Sequence, residues 1–131
     1  MRTYALRLIP GDDLRNSLED FVINHKINAG IILTAVGSLK NAKLRLANGK
    51  SIRNFIGPFE IVSLVGTFSL NGSHLHLSVS DKEGKTFGGH LKEGSLIYTT
   101  AEIIIGHLEN KILKRNFDPN TGFEELVVID K

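Results

Sequence analysis

Apolar positions along this chain switch between two periods, and the switch marks a single helix among strands. Tyr4, Leu6 and Leu8 alternate with Ala5 and Arg7, which predicts a strand over Thr3–Ile9, closed by Pro10-Gly11. Leu14, Leu18, Phe21 and Val22 then recur at i, i+4, i+7 and i+8, the apolar stripe of an amphipathic helix. Asp12 or Asp13 is placed to cap its first turn, and the stripe fades near Asn24–Asn28. From Ala29 onward the pattern is that of strands. GIILTAVGSL is almost continuously apolar, as in a strand covered on both faces. AKLRLANGK sets Leu44 and Leu46 against Lys43 and Arg45 and ends in Asn48-Gly49, a hairpin turn signal. IGPFEIVSLVGTFSLNG is a long strand with Phe59, Ile61, Ser63 and Val65 opposite Glu60, Val62 and Leu64. SLIYTTAEIII is rich in β-branched residues, and strands over Lys111–Phe117 and Phe123–Asp130 flank the turn Asp118–Gly122. These elements predict an α+β fold: an N-terminal helix packed on a strongly curved, mainly antiparallel sheet or partial barrel. With 131 residues and no internal repeat or linker, the expectation is one domain over residues 1–131.

Composition narrows the chemistry. The chain has no cysteine, so disulfides and thiolate metal sites are excluded and a metal must use His, Asp or Glu. MRTYALRLIPGDD is too short an apolar run for a secretion signal, and no window approaches a membrane span, so a cytoplasmic location is expected. The net charge of +2 names no partner, but its distribution is uneven. No acid lies between Asp20 and Glu60, whereas Lys26, Lys40, Lys43, Arg45, Lys50 and Arg53 do. Residues 40–53 are therefore a candidate nucleic-acid face, set against the plainer reading of a solvated strand and loop.

The stretch GSHLHLSVSDKEGKTFGGHL holds three of the five histidines. His74 and His76 stand at i, i+2, which puts both imidazoles on one face of a strand. If Lys82-Glu83-Gly84 is a three-residue hairpin loop with Gly84 left-handed, Asp81 pairs with Lys85 and His76 lies opposite His90. A two-residue loop would send His90 to the other face. The first register makes a three-imidazole metal patch, with zinc or another divalent ion as cofactor. The alternative is three polar side chains on a wet strand. Gly88-Gly89 leaves room beside His90 for a ligand or another chain, or marks a bulge. His25 and His107 have no partner in sequence and read as surface residues.

Glu60 and Glu102 each interrupt an apolar strand. A buried carboxylate must be paired, here with Arg7 or Arg45, or serve as an acid/base group near a metal, with Glu102 the catalytic candidate. No Ser-His-Asp arrangement, phosphate loop or dinucleotide motif is present.

ALRLIPGDDL, AVGSLKNAKLRL, GPFEIVSLVGTFSL, HLHLSVSDKEGKTFGGHL and TTAEIII together resemble the PPC domain (plant and prokaryote conserved), over roughly Thr3 to Val128. The resemblance implies a compact α/β domain that forms a homotrimer. In plants the domain follows AT-hooks in nuclear DNA-binding proteins, and in prokaryotes it stands alone and is called DNA-binding by analogy. This chain has no AT-hook, no RGRP-like segment and no basic tail, and Gly57-Pro58-Phe59-Glu60-Ile61 lacks the basic residue of the plant GRFEI-type stretch. Prokaryotic members are also similar in fold to acetolactate decarboxylase, a zinc enzyme with histidine ligands. The HLH and GGHL motifs carry that implied metal to His74, His76 and His90. Two expectations follow: a homotrimeric DNA- or protein-binding module, or a metal-dependent enzyme or small-molecule binder on the three histidines.

Overall fold

A computed structural model describes all 131 residues, Met1–Lys131. The elements in chain order are β1 (Arg2–Leu8), α1 (Leu14–Asn24), β2 (Gly30–Arg45), β3 (Ile52–Ser69), β4 (Gly72–Ser80), β5 (Thr86–Leu91), β6 (Ile97–His107), β7 (Lys111–Asp118) and β8 (Phe123–Asp130). Six strands form one antiparallel sheet in the order β1-β6-β2-β3-β4-β5, and β5 pairs back onto the end of β2. That return closes β2, β3, β4 and β5 into a small barrel, the curved architecture the sequence predicts. β7 and β8 form a separate hairpin.

The helix begins where capping chemistry says it should. Asp13 accepts the Asn16 amide at 3.0 Å with one oxygen and the Gly94 amide with the other, so the cap also ties α1 to the turn before β6. Leu14, Leu18 and Val22 on one stripe enter a core with Phe68, Leu39, Leu44, Ile97, Ile103 and Ile105. No helix is long and apolar enough to cross a membrane.

GIILTAVGSL and AKLRL prove to be one strand of 16 residues, bent by register shifts at Leu33 and near Ser38. β3 also shifts register between Ile61 and Ser63. This changes which residues share a face: Phe59, Ile61 and Leu64 are buried, while Ser63 and Val65 point outward. Strict alternation across 56–72 therefore fails at the bulge, where one extra residue reverses the pleat. The double-sided apolar run in β2 is not fully covered either. Leu33 (44% exposed), Val36 (56%), Val62 (54%) and Val65 (55%) lie open on the outer side of the β2–β3 ribbon.

Candidate metal centre

The turn between β4 and β5 decides the site. Gly84 has φ +84°, its amide donates to the Asp81 carbonyl at 2.9 Å, and the Asp81 amide donates to the Lys85 carbonyl at 2.9 Å. The Asp81 carboxylate accepts the Glu83 and Lys85 amides, fixing the three-residue loop. Register then runs Ser80↔Thr86 through to His76↔His90, the pairing that the Gly84 reading predicts. His74, His76 and His90 share the outer face, because Leu75, Leu77 and Leu91 occupy the core between them.

One ring nitrogen from each histidine lies within 4.8 Å of those of the other two, and the Nε2 atoms of His74 and His76 are 3.2 Å apart. Ligands about 2.0–2.1 Å from a tetrahedral zinc stand about 3.3 Å from each other, so the closest pair already has the needed spacing. His90 Nδ1 is buried with no protein partner. Such an atom costs about 1–3 kcal/mol unless a ligand satisfies it. Partial burial, followed by the charge of Arg45, lowers the His90 pKa to about 4. His74 is also lowered, by burial first and then by His76 and Arg115. Both rings are neutral at physiological pH, the form in which imidazole donates to a metal. The donor set thus fits a divalent transition metal.

Gly88 and Gly89 serve the backbone. A Cβ on Gly88 would sit 2.3 Å from the Leu77 carbonyl, and one on Gly89 would sit 2.8 Å from the Arg45 carbonyl. The close approach expected there from a ligand or another chain is made by β4 and β2 themselves.

The basic residues of 40–53 divide between surfaces. Arg45 pairs with His90 at the barrel closure and reaches over the Phe123 ring, 5.9 Å from its centroid. Lys43 and Arg53 fall at adjacent register positions on opposite faces: Lys43 against Gly94, and Arg53 over the Phe55 ring at 4.7 Å. Lys40 and Lys50 are exposed.

Glu60 and Glu102 are both exposed rather than buried, and neither forms an ion pair. Both side chains point to the outer face of the sheet, where water solvates the carboxylates. Glu102 stands opposite Arg7 and Val36, outside the clefts that flank the histidines. His25 is exposed, caps α1 and stacks on Phe21. His107 departs from its surface expectation: it is half-buried, and its Nε2 lacks a partner.

What sequence reasoning missed comes from the C-terminal hairpin. Leu113 bonds to Asn28 and Leu70, and Asn71 exchanges two bonds with the Arg115 backbone. Docked in this way, Arg115, Phe123, Glu124 and Glu125 line a cleft of about 560 Å³ with His74 and His90. No local signal marks these residues, since they meet the histidines through tertiary docking.

The profile of the Plants and Prokaryotes Conserved (PCC) domain matches residues 1–109. The bifunctional protein GlmU of a Synechococcus strain is 46% identical over 126 residues, which is 96% of this chain but 20% of that protein; a second strain's GlmU matches at 44%. The chain therefore spans about a fifth of the length of these curated relatives. A hypothetical protein from Salmonella superimposes with TM-score 0.96 at 38% identity, covering 99% of this chain and 94% of the other. A metal-containing protein of Archaeoglobus fulgidus superimposes at 0.79 with 27% identity, covering 97% and 94%. A protein of Bacteroides thetaiotaomicron provisionally described as DNA-binding shares the fold at TM-score 0.85 and 22% identity, covering 95% and 91%.

Proposed function

Since this chain belongs to the Plants and Prokaryotes Conserved (PCC) domain family, we propose that it is a metal-binding member whose His74, His76 and His90 hold a divalent transition-metal ion. The observation that carries the reading is the convergence of one nitrogen from each of three imidazoles within 4.8 Å, with a buried nitrogen of His90 unpartnered. An all-imidazole set suits zinc, and also nickel, copper or iron. The metal-containing Archaeoglobus neighbour supports the same assignment. A bound ion would supply a Lewis-acid centre at an exposed edge of the barrel. The chain's own part is to present neutral donors and to flank them with Arg45 and Arg115. Catalysis related to acetolactate decarboxylase would need a proton-transfer group, and Glu124 and Glu125 line the histidine cleft where Glu102 does not.

We propose further that the assembly is a homotrimer. The uncovered side chains of Leu33, Val36, Val62 and Val65 support it, since an apolar strip of this kind marks a contact surface. Val65 stands opposite His76, so a neighbouring subunit on that strip would border the metal site. Elemental analysis of chelator-free protein, with a solution mass on the same preparation, is expected to give near one metal per chain and three chains per particle. Protein that is metal-free and takes up neither zinc nor nickel on titration would remove the metal reading, and a monomeric mass would remove the trimer.

A second reading, a nucleic-acid-binding module, is supported by the fold shared with the Bacteroides protein and by the exposed cations Lys40, Lys50 and Arg53. It calls for salt-dependent binding that weakens as phosphate contacts are lost. A flat fluorescence-anisotropy titration with duplex DNA at low salt would exclude it.

A further inference from the structure

The cleft beside His74 and His90 is walled by two arginines that have no acidic partner. The chain's ion pairs are Arg15–Glu19 and Lys111–Asp130, so no carboxylate oxygen lies within 4.0 Å of Arg45 or Arg115. Arg115 gives one Nη2 bond to Thr67 Oγ1 at 3.0 Å, and its buried Nε has no partner. Both cations line the same cleft as His74 and His90. Guanidinium is permanently charged, and its planar fork matches the two oxygens of a carboxylate or phosphate.

Charge in the cleft sets the size of the ligand's charge. Among the side chains lining it, Arg15, Arg45 and Arg115 balance Glu19, Glu124 and Glu125 in formal charge. A divalent ion would leave two positive charges in excess, enough for one or two negative charges and not for a polyanion. The volume of about 560 Å³ is in the range of small-molecule sites.

Resting on the metal reading above, we propose that Arg45 and Arg115 make the histidine cluster a receptor for a small oxyanion, a carboxylate or a single phosphate group. Arg115, Phe123, Glu124 and Glu125 all lie beyond the residues that the family profile matches, which end at 109. The two proposed ligand-selecting arginines therefore come from either side of that limit, Arg45 from β2 and Arg115 from β7.

Cobalt(II) reports both steps, because its visible spectrum changes on loading and again when an added ligand alters its surroundings. Wild-type protein would be loaded with Co(II) and titrated separately with pyruvate, oxalate and inorganic phosphate. At least one anion is expected to shift the spectrum saturably, and the responding arm separates a carboxylate from a phosphate ligand. Arg45→Met and Arg115→Met are expected still to take up Co(II) but to bind that anion about tenfold or more weakly, with Arg115→Lys partly restoring it. Co(II) uptake with no response to any of the three anions would overturn the inference alone, as would methionine variants that bind the anion like wild type. Failure of the wild-type protein to bind Co(II) would sink the metal reading and this inference together.

Discussion

Replacing His76 with alanine is expected to lower zinc affinity by more than about 100-fold while leaving the fold intact. The loss should exceed the 10–100-fold that removing an outer-shell partner costs, because a donor itself disappears. Two facts separate the metal effect from a structural one. His76 is exposed, and the core beneath it is held by Leu75 and Leu77 on the other face of β4. Its side chain also crowds His74, Nε2 to Nε2, in a contact that one tautomer each must satisfy. The metal-free variant should therefore unfold within about 0.5 kcal/mol of wild type, as exposed substitutions usually do. Competition with a chromophoric chelator measures the affinity, and His25→Ala is the control, since His25 stacks on Phe21 at the end of α1. Zinc bound by His76→Ala within about threefold of wild type would exclude this histidine as a ligand.

Gly66→Ala should be the most damaging single-methyl change in the barrel. A Cβ there would lie 2.0 Å from the His74 carbonyl oxygen and 2.9 Å from Leu75 Cα, and φ is +153°. These are backbone atoms of the neighbouring strand, so no rotamer change relieves the clash. β3 and β4 must part at the Gly66↔Leu75 pair, between the partners of His74 and His76. A destabilisation of about 3 kcal/mol or more is expected in urea unfolding, together with weaker metal binding because His74 and His76 move. Gly122→Ala provides the contrast. Nothing lies within 4 Å of its Cβ, so only the left-handed φ of +79° opposes it, at about 1–2 kcal/mol. Equal urea midpoints for wild type and Gly66→Ala would refute the steric account.

Much of this fold and part of its site are legible in sequence because the relevant interactions are local. Asp13 caps α1 through its neighbours, and Gly84 sets the β4–β5 loop through bonds to Asp81, so the three-residue loop, once preferred to a two-residue one, puts His76 opposite His90. Legibility ends where long-range geometry intervenes. The bulge at Val62 reverses the faces of β3, and nothing in VSLV announces an extra residue. Glu60 and Glu102 look buried because their neighbours are apolar, yet an antiparallel strand can be apolar inward and wet outward. Arg45 stands out by its charge, but its place beside His90 depends on β5 returning to β2. Arg115 and Phe123 reach the histidines through a hairpin docked on Asn28, Leu70 and Asn71, a contact no periodicity encodes.

That return of β5 to β2 has a kinetic consequence. The seam consists of Leu44↔Leu91 and Arg45↔His90, extended by one bond from the Lys92 amide to the Lys43 carbonyl, whereas β4 and β5 share five residue pairs. In native-state hydrogen exchange a ladder so short opens before its longer neighbour. When it opens, His90 stays with His76 and Arg45 departs with β2. On the metal reading, an ion held by His74, His76 and His90 would stay with the longer β4–β5 ladder, whereas a ligand held by Arg45 would be released whenever the shorter seam opens.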